Sequence, residues 1–264
     1  MSRIFMMVYR PYRTVSAHRV HKKRFVDYFL PPFLFIAFVV IIILSVQLYQ
    51  AVFVEHKPFD VFLYTLQGRA KLTPAGSPNT DEALNEMRVF KGDEIVTDIS
   101  GRIGLTFFKR EILRFDENTT VLLRDVVQDN FKDTIDVVMR GGRGWVFAES
   151  TDVIPHIIMN TSHLSLESQN AIFEVEDFSA QKGGEIIRVI KGSVKATIVI
   201  TSDDGPKEVE TVTILAGQQF TMDRAALAAY EKFQSPEVIA PIDPTFTEDE
   251  WYFWNNELDE KGSM

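Results

Sequence analysis

Among the residue types that most often carry catalysis or bind metals, the histidines of this sequence are few, and the carboxylates are numerous but scattered. The chain of 264 residues has no cysteine, which excludes a thiolate zinc site, a cysteine nucleophile and a disulfide scaffold. His156 and His163 have no Asp or Glu between them, so they do not form a compact metal-binding signature. Ser162, His163 and Ser165 suggest a hydrolase, but the chain has no Gly-x-Ser-x-Gly nucleophile elbow.

The paired carboxylates and the glycine cluster are typical of turns. Asp116-Glu117 and Asp203-Asp204 stand in turn sequences, where short polar side chains bond the local backbone. A glycosidase pair would have to line a cleft. Gly141-Gly142-Arg143-Gly144 leads into the apolar Trp145-Val146-Phe147, which favours a strand over the helix that a phosphate loop needs. We therefore predict no catalytic, cofactor-binding or metal-binding residue, and a protein that is not an enzyme.

An aromatic run near the C-terminus is the candidate recognition element. Trp251, Tyr252, Phe253 and Trp254 directly follow Asp249-Glu250. One interpretation is a tail that folds back onto the apolar surface of its own domain. The other is a docking peptide whose aromatic side chains enter a pocket of a partner, with the acidic neighbours steering it toward a basic surface. The four aromatic residues are the predicted partner-binding residues.

The elements that position these residues begin with a basic segment and an apolar one. Residues 1–27 contain seven Lys or Arg against Asp27, so the rest of the chain carries −15 although the whole carries −9. Residues 28–54 contain no charged residue, and at about 1.5 Å per residue they rise roughly 40 Å, more than a hydrocarbon core of about 30 Å. The pattern predicts a transmembrane helix over 28–54. A buried core helix and a cleavable signal peptide are the alternatives.

The charge asymmetry predicts how this helix is oriented. Because basic flanks stay on the cytoplasmic side, residues 1–27 are expected to form a short cytoplasmic tail and the C-terminal domain to be extracytoplasmic. The predicted location is the inner cell membrane, crossed once, with membrane lipid as a partner through residues 28–54. Nucleic acid is not expected as a partner, since the basic run abuts the membrane and has no folded module around it.

Residues 60–222 have the pattern of an all-β domain. Short runs rich in β-branched and aromatic residues alternate with Gly, Asp and Asn at intervals of roughly 8–12 residues. An apolar fraction of 45% excludes a disordered chain. We predict a β-solenoid-like or β-sandwich exported domain. Residues 223–264 follow, with a short C-terminal helix over 224–233 that Asp223 caps, and then an extended tail.

Three stretches of residues 60–222 together resemble the FecR domain. They are Val89–Thr97 with 100–107 and 112–121, Gly144–Val146 with 159–161 and 171–175, and Val189–Val194 with Val212–Gln218. The sequence departs from the family at Phe108-Lys109-Arg110, where an Asp-Gly turn is usual, and at Asn170, which occupies the position of a Gly-Thr pair.

The resemblance implies an all-β exported domain on one transmembrane helix. Regulators of this family pass a signal to a cytoplasmic sigma factor through a sizeable N-terminal domain, whereas only residues 1–27 precede the predicted helix here. We therefore predict a membrane-anchored, non-enzymatic binding or scaffold module of the cell envelope, whose partner is an envelope protein or a cell-wall polymer. The acidic balance favours a neutral or basic partner. The alternatives are a transmembrane signal transducer, a FecR-type regulator of a sigma factor that senses an extracytoplasmic ligand, and a glycan hydrolase.

Overall fold

The first compact unit of the chain contains one described helix. The computed structural model describes residues 35–45, 61–108, 111–128, 132–149, 154–178, 184–202 and 205–262. Helix α1 is described over residues 35–45 within the unit Met1–Glu55. Among the described residues, no helix is long and apolar enough to cross a membrane.

The prediction of a transmembrane helix over 28–54 is therefore wrong on the described residues, and so is the single-pass inner-membrane location that depended on it. The apolar composition of this stretch is compatible with the helix described at residues 35–45. The rest of this range and the basic segment 1–27 lie outside the described residues.

The second unit, His56–Met264, is built mainly from β-strands. Its described part contains β1 (Val61–Gln67), β2 (Ala70–Thr73), β3 (Asp81–Glu82), β4 (Met87–Val89), β5 (Glu94–Thr97), β6 (Arg102–Phe107), β7 (Glu111–Phe115), β8 (Thr120–Gln128), β9 (Lys132–Arg140), β10 (Gly142–Ala148), β11 (Ile154–Asn160), β12 (Leu164–Gln169), β13 (Ala171–Asp177), β14 (Gly184–Lys191), β15 (Ser193–Ser202), β16 (Gly205–Leu215), β17 (Gln218–Asp223) and β18 (Ile239–Pro241). Helices α2 (Arg224–Glu231) and α3 (Glu250–Lys261) and a 3₁₀ helix (Pro244–Glu248) follow β17.

The strands form two sheets of nine. Sheet 1 has the order β18-β17-β14-β13-β10-β7-β6-β1-β4, and sheet 2 has the order β16-β15-β12-β11-β9-β8-β5-β2-β3. The chain passes from one sheet to the other after one or two strands. Neighbouring strands are antiparallel except β9 and β11, which run parallel. This alternation builds both sheets together along the chain.

The core draws on both sheets because their strands alternate between a buried and an outer face. In β10, for example, Val146 and Ala148 are buried in the core cluster, while Trp145 belongs to a separate cluster on the other face. Phe173 of β13 pairs with Val146 and lies in the same core. Side chains on the outer face of sheet 1 therefore lie outside this core.

The C-terminal region differs from its prediction. Helix α2 and its N-cap Asp223 lie where the sequence predicts them. The prediction of an extended tail is wrong, because Glu250–Lys261 forms α3. Asp249 caps this helix at its start, and Gly262, in the left-handed region at φ 59°, ends it.

Candidate interaction site

The outer face of sheet 1 carries a row of directly opposed residues across six strands. In the strand register, Trp145 of β10 stands opposite Arg114 on one side and opposite Glu174 on the other. Opposed residues share one face of a sheet, so the whole row points away from the core. We call it the cross-strand row. Its members are Gly104, Arg114, Trp145, Glu174, Arg188 and Gln219.

Most arginines of this face are neutralised by carboxylates of the same sheet or the turn beside it. Nε of Arg102 lies 2.9 Å from Oδ1 of Asp116. The fully buried carboxylate of Glu174 binds Arg143 and Arg188, each at 2.7 Å. Burial raises the pKa of Glu174, and the two guanidinium groups oppose that rise. We call this surface, with Arg102, Arg114, Arg143 and Arg188, the arginine face.

Arg114 is the exception. Its side chain is fully buried, and Nη1 donates to Oδ1 of Asp259 at 2.5 Å and to Asn255 at 3.4 Å, both on α3. Nε1 of Trp145 donates to the other carboxylate oxygen of Asp259 at 2.9 Å. Burial raises the pKa of Asp259, while Arg114 and Trp145 act to lower it. Two strands of the sheet therefore bind one carboxylate that comes from a separate element.

Asp249 connects the start of α3 to the same face. Its Oδ1 accepts from the backbone N–H of Trp251 at 2.7 Å and lies 3.1 Å from Nη2 of Arg143. Although burial acts to raise it, the pKa of Asp249 lies below its usual range because of Arg143 and the N–H groups of Trp251 and Tyr252. The N-cap of the helix is thus also an ion pair with the sheet.

Arg102 contacts two aromatic residues of α3 through its guanidinium group. Its guanidinium carbon lies 5.4 Å from the ring centre of Trp251 and 5.1 Å from that of Trp254, within the range of cation–π attraction. It also reaches Glu250 at 3.3 Å, but that carboxylate is exposed, so the pair contributes little.

The four predicted partner-binding residues divide into three that face the sheet and one that does not. Trp251 is 1% exposed and stacks on Trp254 at 5.2 Å between ring centres. Tyr252 is half-buried and lies edge-on to Trp145 at 6.0 Å. Phe253 is 58% exposed. The residues from Ile242 to Lys261, which we call the C-terminal segment, therefore cover the arginine face of their own domain.

The histidine and serine candidates belong to sheet 2 and its turns. Ser162 donates to Oδ2 of Asp177 at 2.8 Å, and Nδ1 of His163 lies 2.8 Å from Oε1 of the buried Glu185. The hydrogen bond with Glu185 raises the pKa of His163. His156 lies on β11. Within the described ranges, no group of three or more His, Asp or Glu is placed to hold a metal ion.

The other sequence candidates have structural positions. Asp116 lies between β7 and β8, where it binds Arg102, and Gly142 opens β10, so the glycine cluster leads into a strand as predicted. Asp203 and Asp204 lie outside the described residues.

Sequence reasoning missed the arginine face. Its members are far apart along the chain, and only the strand register brings them together. A weak signal is present in the alternation of Arg143 with Trp145 and of Glu174 with Glu176. In a strand of an antiparallel sheet such alternation usually marks a solvated outer face, so the pattern alone does not reveal a covered one.

Comparison with known proteins gives little further information. No family model matches the chain, and no curated protein is similar to it in sequence. Two crystal structures of a candidate anti-sigma factor from Parabacteroides distasonis, at 1.65 and 2.50 Å resolution, each show 12% identity and a TM-score of 0.42 over 58% of this chain and 61% of that one. The resemblance of residues 60–222 to the FecR domain stays a prediction.

Proposed function

We propose that this protein is a non-enzymatic protein-binding module. Its binding surface is the arginine face, which takes a helical segment of a partner in the place that the C-terminal segment occupies within the chain. The observation that carries the proposal is Arg114, a fully buried arginine in the middle of a sheet's outer face whose hydrogen bonds go to α3.

The composition of the face supports a protein partner. Trp and Arg dominate the residues that contribute most to protein–protein binding, and here Trp145 stands directly opposite Arg114 with Phe147 on the same strand. The apolar cluster under the C-terminal segment is separate from the core between the sheets. A folded core that is distinct from a covered outer face is the organisation expected of a module with an exchangeable ligand.

The arrangement around the serine and histidine candidates favours a structural role for them. Ser162 and His163 are each engaged with a buried carboxylate, from Asp177 and Glu185 respectively. Such contacts stabilise a turn. The alternative function, a signal transducer that regulates a sigma factor, stays a prediction.

Binding of a labelled peptide tests the proposal. The probe is a fluorescein-labelled peptide of residues 242–261, added to the full chain with Trp251→Ala and Trp254→Ala, which weaken the chain's own segment and leave the arginine face intact. We expect saturable binding by fluorescence anisotropy. The wild-type chain is expected to bind at least about 10-fold more weakly, because its own segment competes at an effective concentration of roughly millimolar.

The control is the same variant with Arg114→Ala added, which removes the guanidinium from the face. This triple variant should bind the peptide more weakly than the double variant does. Circular dichroism must show the same strand signal for all chains. Absence of peptide binding to the correctly folded double variant would contradict the proposed function, because the face would then hold its segment only as a permanent part of the fold.

A further inference from the structure

We propose that Arg114 and Trp145 form a carboxylate clamp and that the helix recognised in trans is an acidic aromatic one with a defined stripe of residues. This inference rests on the proposed function and names the chemistry of the partner at the same site. The stripe is a carboxylate at the N-cap, Trp two residues later, Asn four residues after that and Asp after a further four, as in Asp249, Trp251, Asn255 and Asp259.

The clamp binds both oxygens of one carboxylate. Nη1 of Arg114 lies 2.5 Å from Oδ1 of Asp259, and Nε1 of Trp145 lies 2.9 Å from Oδ2. Arg114 and Trp145 stand directly opposite each other on neighbouring strands, so the backbone register fixes the spacing of the two donors. A site with two fixed donors and a buried positive charge selects a carboxylate over an amide or a hydroxyl.

The charge balance of the face makes the clamp the selective point. Arg102 has Asp116, and Arg143 and Arg188 share Glu174, so these three arginines keep a carboxylate when the helix leaves. Arg114 has its ion pair with Asp259 of α3. A buried guanidinium that lacks a counter-charge is unfavourable, and a partner helix without a carboxylate at this position leaves it in that state.

The remaining stripe residues fit the surface at regular helical spacing. Trp251, Asn255 and Asp259 are four residues apart and therefore lie on one face of α3. Asn255 is fully buried, accepts from Arg114 and donates to the carbonyl oxygen of Trp251 at 2.9 Å. The segment thus presents one continuous buried stripe, whereas Glu257 is exposed.

Peptide variants separate the clamp from general electrostatic attraction. In the anisotropy assay with the Trp251→Ala, Trp254→Ala chain, the peptide of residues 242–261 is compared with its Asp259→Asn and Glu257→Gln versions, each of which removes one negative charge. We expect Asp259→Asn to weaken binding roughly 30-fold or more, as for one partner of a buried charge pair. Glu257→Gln should change it less than about 3-fold.

The Arg114→Ala version of the same chain completes the cycle. It should bind the Asp259→Asn peptide at least as tightly as the wild-type peptide, since the guanidinium that favours the carboxylate is gone and a buried carboxylate without it is unfavourable. Equal weakening by Asp259→Asn and Glu257→Gln would overturn the clamp while leaving the proposed function intact. Failure of the unmodified peptide to bind would instead contradict the proposed function.

Discussion

Arg114 shows how a single buried charge can depend on a distant part of the chain. Its ion-pair partner Asp259 is also largely buried. We expect Arg114→Ala to lower the free energy of undocking of the C-terminal segment by about 3–5 kcal/mol, because it leaves a buried carboxylate without its counter-charge. The tryptophan fluorescence transition in a urea titration measures the change, since the tryptophans lie in the cluster between the segment and the sheet.

A double replacement tests whether the loss comes from the unpaired charge. Arg114→Met with Asp259→Asn removes both charges, fills similar volume and keeps an oxygen that can accept from Nε1 of Trp145, so it should recover most of the lost stability. Arg124→Ala is the control, since Arg124 is half exposed in its pair with Asp136 and should cost less than about 1 kcal/mol. A double variant as unstable as Arg114→Ala would show that packing, and not charge, explains the loss.

His163 gives the fold a pH dependence of known sign. The hydrogen bond with Glu185 raises the pKa of His163, burial opposes it, and the charges of Glu185, Asp177 and Glu231 add to the rise. A raised pKa means that this stabilisation is fully present below about pH 6.5, the usual value for histidine, and is lost as the pH rises through the folded-state value.

We therefore expect His163→Asn to lower the melting temperature at pH 6 and to have less effect at pH 9. The expected difference is roughly 2–4 °C for each kcal/mol of lost stabilisation in a chain of this size. Differential scanning calorimetry at the two pH values measures it. The same substitution in a Glu185→Gln background should show a much smaller pH dependence, because only the charges of Asp177 and Glu231 then raise the pKa of His163. An equal loss at both pH values in the otherwise wild-type chain would contradict this explanation.

At the scale of elements, strands and tight turns are the part that the sequence predicts well. The alternation around Ile103–Phe108 predicts a strand that the structure places at Arg102–Phe107. Gly92 has a φ of 90°, the left-handed conformation that its turn requires, and Asp93 accepts from the N–H of Phe90 at 2.8 Å. Local backbone chemistry decides such features, so one sequence suffices to find them.

Helix bounds and strand partners are less predictable because they depend on distant contacts. An apolar run with no charge predicts a helix over 28–54, and the structure describes a helix at residues 35–45 of this range. The change of composition after the first C-terminal helix predicts an extended tail, although Asp249 and Gly262 are both good capping residues. Neither the helix in the tail nor the burial of the arginine face can be explained by itself, because charged residues of each neutralise charged residues of the other.

The N-cap of α3 gives a second test at this scale. Because the pKa of Asp249 is lowered, its contribution to docking is present above the usual value of about 4 and is lost as the pH falls through the docked-state value. Asp249→Asn keeps a capping oxygen but loses the charge that pairs with Arg143. We expect acid to release the segment less steeply in this variant. Tryptophan emission between pH 2 and pH 6 measures this, and identical profiles would contradict a role for the charge.

At the scale of the whole molecule, the described residues of the unit His56–Met264 form two nine-stranded sheets with one shared core and one covered outer face. Most strand pairs join segments close in sequence, but the C-terminal segment contacts strands more than 100 residues away. The segment directly follows β18 of sheet 1, and α3 is held to the sheet by side-chain contacts and not by strand hydrogen bonds. The segment is therefore the part of this unit for which local opening is expected to be easiest.

The tryptophans allow this to be tested without a label. The chain has three, Trp145, Trp251 and Trp254, and all three lie in the cluster under the C-terminal segment. Their fluorescence therefore reports on docking, whereas far-ultraviolet circular dichroism reports mainly on the strands.

In a urea titration of the full chain, we expect the fluorescence transition to precede the circular dichroism transition. Salt near 1 M should move it still earlier by screening the partly exposed pairs, such as that of Arg143 with Asp249. Coincident transitions at every salt concentration would show that the segment unfolds with the core, and an exchangeable ligand on the arginine face would then be ruled out.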